Sequence, residues 1–299
     1  MYVVNDDVKK NVYETFGRKI QMVEDDVNII KTWMKGQLHL PEMMEDARIR
    51  NFLNLNKFSI EKTKVKIDMY YTIRGVIPEL FELSNPKLEN MKNVFNLTYL
   101  FTFPKMLNDV HRVYFAKQKK PNTLKAVETS NVLLSIFEIR LYEDFMVDDY
   151  IILDLENHSL GDIKRITPTF VTKFLAIYKK VYALRIKKVI FMNCPSYVSV
   201  LIAMLKPLVK AKIFDRIEFH DDSEVLKKII CKKDLPKDYG GEGPSLEEYN
   251  AMMQTKLCQH QNRFDQLDKL RVNENLRPAK LNNDEILGFY GSFKKINFD

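Results

Sequence analysis

Two short apolar runs, DYIILDL at 149–155 and KKVIFMN at 187–193, constrain the architecture of this chain more than any other feature. Both are rich in β-branched residues and short, which marks them as buried strands. Between them lies TPTFVTKFLAIYKKVYAL, whose apolar residues recur at helical spacing. Strand, helix and strand in that order form a crossover unit, and a crossover implies parallel pairing in a sheet covered by helices. VHRVYFAKQ (110–118) and DRIEFHDD (215–222) supply two more strands, and SEVLKKIIC follows as a short helix.

The first part of the chain is different. Residues 6–83 read as helices, with apolar recurrence at Val23, Val27, Ile30 and Met34, then Ile49, Phe52 and Leu53, then Ile67, Tyr70, Tyr71 and Ile73. Pro41 and Pro78 interrupt this bundle, and SNP at 84–86 marks its boundary. Beyond the glycines of DYGGEGPS (238–245) come a polar helix and a tail rich in Asn and Lys. The expected organisation is therefore a helical domain at 1–83, an α/β domain at 84–252 and a C-terminal helix and tail at 253–299.

Composition narrows the function. A chain of 299 residues with 45% apolar residues, 9 Gly and 11 Pro is a folded globular protein. The start, MYVVNDDVKKN, lacks the apolar core of a secretory signal, and no run reaches the roughly 18–20 apolar residues of a membrane-spanning helix. An intracellular, soluble protein is expected. Three widely spaced cysteines, Cys194, Cys231 and Cys258, suit a reducing compartment and form no CxxC motif. The sequons at Asn96 and Asn157 are then chance matches.

A net charge of +7 favours an anionic partner. The sequence carries no nucleic-acid-binding signature, since its aromatic residues fall mainly at core spacing. It carries neither GxGxxG nor GxxxxGK[ST], and its five histidines include no HExxH, so neither a nucleotide cofactor nor a metal is expected. The polar clusters Asp154, Glu156 and His158, and His220, Asp221 and Asp222, sit at strand ends where α/β active sites lie, but no GxSxG turn accompanies them. Capping carboxylates and a surface histidine are the reading, and no enzyme is expected.

One segment is unusual. In CPSYVSVLIAMLKPLVKAKIFDR (194–216) the only polar side chains from Val198 to Val209 are Ser199 and Lys206. On a helical projection Ser199, Ala203, Lys206 and Lys210 form a narrow stripe, and the rest is broadly apolar. A helix buried between two layers would look like this. So would a lid with one side over an apolar cavity and the other against lipid, its lysines reaching towards headgroups.

The run KVYALRIKKVIFMNCPSYVSVLIAMLKPLVKAKIFDRIEFH, with DLENHSLGDIKRITP before it and LPKDYGGEGPSLEE after it, closely resembles the CRAL-TRIO family of lipid-binding proteins. The N-terminal helices, from WMKGQLHLPEMM to RGVIPELF, resemble the helical domain that precedes the lipid domain there. The tail, LGFYGSFKKINFD, is similar to the ending of arthropod tocopherol-transfer-like members. The resemblance implies a mixed, mostly parallel sheet flanked by helices, an apolar pocket for one lipid and a helical gate over it. It places Leu153, Phe174, Ile177, Tyr178, Tyr182, Leu184, Ile186 and Val189 in the pocket wall, and Val198, Leu201, Ile202 and Leu205 in the gate. It implies a basic membrane or phosphoinositide cleft at Arg185, Lys187 and Arg216, with Lys206 and Lys210 alongside. Two arginines of that cleft appear here as Asn56 and Val65, and the glycine usual in DLEG is Asn157. The implied function is intracellular binding and transfer of a tocopherol-, retinoid- or carotenoid-like lipid by a cytoplasmic monomer that visits anionic membranes. A phosphoinositide-sensing or tethering module is the rival.

Overall fold

The structure, a computed structural model, describes residues 2, 4–182 and 184–279. The tail at 287–299 lies outside them. Four helices open the chain: α1 (Asp6–Thr15), α2 (Ile20–Lys35), α3 (Asp46–Leu55) and α4 (Ile60–Val76). Their apolar stripes meet, so Val23, Val27, Ile30, Ile49, Phe52, Leu53 and Ile67 are almost fully buried. Ser59 caps α4, accepting from the Lys62 amide, and Pro78 starts a single 3₁₀ turn after it.

The second part alternates strands and helices: α5 (Glu89–Leu97), β1 (Thr98–Thr102), β2 (His111–Gln118), α6 (Ala126–Glu143), β3 (Asp148–Asp154), α7 (Leu160–Arg165), α8 (Pro168–Ala176), β4 (Ile186–Met192), α9 (Val198–Leu205), α10 (Ala211–Phe214) and β5 (Ile217–Phe219). α11 (Val225–Ile229), α12 (Leu246–Gln259) and α13 (Gln261–Leu267) follow. The strands form one sheet in the order β1-β2-β3-β4-β5, with β1 antiparallel to β2 and the other pairings parallel. The sheet is thus mixed and mostly parallel, as the crossover pattern requires. β1, absent from the sequence reading, is a five-residue strand that follows α5 without a break.

Register decides which side chains share a face. Tyr114 pairs with Ile151 and Ile151 with Val189, while Ala116 pairs with Leu153 and Leu153 with Phe191. Side chains alternate along each strand, so these residues, with Leu100 and Ile217, present one continuous apolar surface. The opposite face carries Phe101, Phe115, Ile152 and Ile190, and there Phe101 stacks on Phe115 (5.2 Å) and on Tyr249 of α12 (5.0 Å). Burial continues past residue 252, because Met253, Leu257, Phe264 and Leu267 of α12 and α13 are all core residues.

Polar contacts fix the helical part against the sheet part. Asn51 of α3 donates to the backbone oxygens of Leu141 (3.1 Å) and Asp144 (2.8 Å) and accepts from the Met146 amide (2.9 Å). Deeper in, Glu138 of α6 accepts from Tyr70 (2.6 Å) and from Arg263 Nε (3.0 Å), with Arg48 and Arg74 close by.

Candidate functional site

An apolar cavity of about 300 Å³ lies between the sheet and the helices that cover it. Its floor is the face bearing Leu100, Tyr114, Ala116, Ile151, Leu153, Val189, Phe191 and Ile217. α6 contributes Thr129, Leu133 and Phe137 to one wall, and α8 contributes Phe170, Val171, Phe174 and Leu175 to another. Pro168 at the first position of α8 and the Thr167 side chain, which accepts from the Phe170 amide, set this helix's start. The helix then widens into a π turn, Ile177–Val181, where Tyr178 reaches the cavity.

The tyrosines in the wall show their rings to the cavity and spend their hydroxyls elsewhere. Tyr178 donates to Asp149 Oδ2 (3.3 Å), and the Tyr114 hydroxyl accepts from Arg140 Nη1. Arg140 also donates to Asp149 Oδ1 (2.8 Å) and Asp144 Oδ2 (2.7 Å), and Arg112 Nε adds a second contact to Asp144 (3.0 Å). This buried relay satisfies the charges without exposing one to the cavity. Burial pushes both phenols well above their usual range, so they stay neutral. Burial also pushes Asp149 up despite Arg140, whereas at Asp144 Arg140 and Arg112 outweigh burial and hold it low. In the cavity wall one hydroxyl remains open: Thr129 Oγ1 has no hydrogen-bond partner among the described residues.

The roof is the segment after β4. Leu205, Val209 and Ile213 close the cavity. α9 stops at Leu205, Lys206 and Pro207 form a turn, and α10 begins at Ala211, so the long helix suggested by residues 198–213 is two short ones. Only Leu201 of α9 is fully buried, and Val200 is 43% exposed. The roof therefore carries apolar surface outward as well as inward.

Of the residues singled out by sequence, Leu153, Phe174, Tyr178, Ile186, Val189 and Leu205 line the cavity. Ile177, Tyr182 and Leu184 are buried in the main core instead, with Tyr182 against Tyr70 and Phe137. Val198 and Leu201 pack with Leu155, Ile163 and Phe191 in a second apolar cluster, and Ile202 is half-buried on α9. Arg185 donates to the Asn54 backbone oxygen (3.2 Å) and lies over the Phe16 ring, and Arg216 donates to the Ile186 oxygen. Lys187, Lys206 and Lys210 are exposed. The floor residue Ile151 could have been found by alternation from Leu153, and Phe170 by its four-residue spacing from Phe174. No local pattern announced Leu133 or Phe137, because α6 is buried on most of its circumference.

At the end of β3, Asp154 and His158 are tied into the fold. Asp154 is fully buried and holds Lys117 (3.1 Å), Asn193 (2.9 Å) and the Tyr239 hydroxyl, which ties the glycine loop to the sheet. The His158 backbone oxygen accepts from Tyr197, and burial pushes its imidazole pKa down.

Comparison with known proteins agrees with this geometry. Residues 87–241 match the CRAL/TRIO domain, and residues 19–91 match a Pinta-like UBA domain. The chain is 26% identical over 236 residues to the alpha-tocopherol transfer protein-like protein of Mus musculus and 25% identical to that of Homo sapiens, covering 76% of this chain and 68% of each relative. It is 22% identical over 246 residues to Clavesin-1 of Xenopus laevis, covering 77% and 69%. Among solved structures it is similar to the crystal structure of Sfh5, with a TM-score of 0.49, 15% identity and coverage of 88% of this chain and 99% of that one. With a sheet, a roofed apolar cavity and a family match over more than half its length, the chain is a member of the CRAL/TRIO domain family.

Proposed function

We propose that the protein binds one small hydrophobic lipid, of tocopherol, retinoid or carotenoid type, and transfers it between membranes. The observation that carries this reading is the 300 Å³ cavity whose wall tyrosines turn their hydroxyls away from it. A cavity of that size is at the small end for drug-sized ligands, which suits one compact apolar molecule. Removing about 300–400 Å² of ligand surface from water at roughly 25 cal/mol per Å² favours retention by about 8–10 kcal/mol before association costs. Release on a useful timescale then needs the roof to open. The outward apolar surface of α9, with Lys206 and Lys210 beside it, is suited to doing so at an anionic membrane.

In this reading the protein is a cytoplasmic monomer with transient membrane contact and needs no cofactor or catalysis. No helix among the described residues is long and apolar enough to cross a membrane. Phosphoinositides would assist through Lys187, Lys206 and Lys210 more than through Arg185 and Arg216, whose guanidinium groups already serve backbone oxygens. The test is transfer of a fluorescent tocopherol or retinoid between labelled vesicles, with native mass spectrometry of the tissue-derived protein to identify the ligand. Membrane binding without transfer would replace this reading with a phosphoinositide-sensing or tethering module.

A further inference from the structure

A second cleft, of about 160 Å³, shares no residue with the apolar cavity. It is lined by Arg74 near the end of α4, Phe81 and Glu82 after the 3₁₀ turn, Leu267 and Asp268 at the end of α13, and Arg271 just beyond. It therefore opens where the helical part meets the C-terminal helices, and junctions of this kind are common places for small ligands.

Arg74 is the unusual member, only 8% exposed. Its guanidinium rests against two rings, Phe81 (4.8 Å) and Tyr70 (5.1 Å), which hold its plane. Three buried arginines, Arg48, Arg74 and Arg263, draw on the one carboxylate of Glu138. Two of them have a further partner in Glu42, at 3.2 Å from Arg48 and 2.8 Å from Arg263. Among the described residues Arg74 has no carboxylate beyond Glu138, which lies at 3.5 Å. Its Nη2 is also 3.4 Å from the Tyr70 hydroxyl, and its Nε has no hydrogen-bond partner among the described residues. A guanidinium is always charged, so Arg74 is a buried cation short of an anion.

The neighbours of Arg74 decide which anion fits. Arg271 adds a second cation, whose Nη1 donates to the backbone oxygens of Asp268 (3.0 Å) and Leu270 (2.8 Å). Asp268 accepts from Asn85 (2.7 Å), while the Glu82 carboxylate is exposed and has no partner among the described residues. The unspent donor is thus on the buried side and the unspent acceptor on the exposed side. Two cations and two carboxylates cancel, so a dianion would meet repulsion as well as attraction, whereas a ligand with one charge of each sign satisfies both. The volume is about five times a water's share of the liquid and well below that of a drug-sized pocket, which limits the ligand to a small molecule.

We propose that this cleft binds a free α-amino acid with a small side chain. Its carboxylate takes the arginine side, Arg74 and Arg271, where planar forks match a planar anion. Its ammonium group takes Glu82, and Phe81 and Leu267 receive the side chain. Occupancy would join α4 to the end of α13 and so fasten the helical part to the C-terminal helices, which makes this an effector site separate from any cargo.

The experiment titrates the full chain by calorimetry with glycine, L-alanine and L-valine, and with propionate and ethylamine, each of which keeps one charged half of alanine. Saturable binding of at least one of the three amino acids is expected, with propionate and ethylamine weaker than alanine by about tenfold or more, since each lacks a charged hydrogen-bonding group. E82Q and R271S alter exposed side chains, leave the fold intact by circular dichroism, and should each weaken amino-acid binding by about tenfold. R74K keeps the buried charge, loses the fork and should weaken it at least as much; should R74K not fold, the two exposed positions decide. No saturable binding of any of the three into the millimolar range, propionate binding as well as alanine, or unaffected binding in both E82Q and R271S would each overturn the proposal.

Discussion

Arg140 Nη1 lies 2.8 Å from Asp149 Oδ1, and both side chains are almost completely buried behind the wall of the cavity. The pair is the centre of a relay that reaches Asp144 on one side and the Tyr114 and Tyr178 hydroxyls on the other. R140M would strand Asp149 in a dry interior and leave Asp144 to Arg112 alone. Loss of one partner from a buried pair costs about 3–5 kcal/mol, so the urea midpoint of R140M should fall by that equivalent. D149N should cost less, because Arg140 keeps Asp144.

Acid should unfold the protein through α6. At Glu138 burial raises the carboxyl, but Arg48, Arg263 and Arg74 outweigh it and the net pKa lies below the usual range. A carboxylate lowered in the fold binds fewer protons there than in the unfolded chain. Its contribution is complete above the unfolded value and is lost as pH falls through the folded one. Stability should therefore be flat above about pH 5 in this respect and fall below it. E138Q should lower stability at neutral pH and flatten the acid limb, which urea titrations at several pH values would reveal.

The roof separates two tasks. Leu205 lines the cavity, whereas Ile202 on the same helix does not. L205D should abolish cargo retention. I202D should retain cargo yet slow vesicle transfer, since a charge carried into the bilayer costs on the order of 2–3 kcal/mol. Circular dichroism and transfer assays on both variants check this, and unimpaired transfer in the I202D/L205D double variant would remove the gate assignment. Wholesale unfolding would instead make α9 an ordinary core helix.

Thr129 offers a handle on cargo chemistry. Its hydroxyl is buried at the cavity wall without a partner, so a lipid hydroxyl would gain a bond there worth about 1 kcal/mol. T129V should weaken binding of tocopherol several-fold and leave binding of its analogue without the phenolic oxygen unchanged in a fluorescence displacement titration.

The crossover was legible because DYIILDL and KKVIFMN are short and apolar and flank a helix-like run. Those strands now occupy the middle of the sheet, where both faces are covered and no polar alternation is needed. β1 was invisible because TYLFT adjoins α5 without a turn. In the site, residues that alternate along β3 and β4 or recur along α8 could be reached by periodicity. Ile177 and Tyr182 could not be sorted that way, because the π turn changes the rotation of the chain and sends both into the core.

Ala116 stands between Leu100 and Leu153 in the register of the floor and has the smallest side chain among the described lining residues. Enlarging that one position would shorten the space available to a guest without touching the relay or the roof. Cargo length in this lineage is thus open to change by a single codon, which gives diversification of ligand preference a route that leaves folding intact.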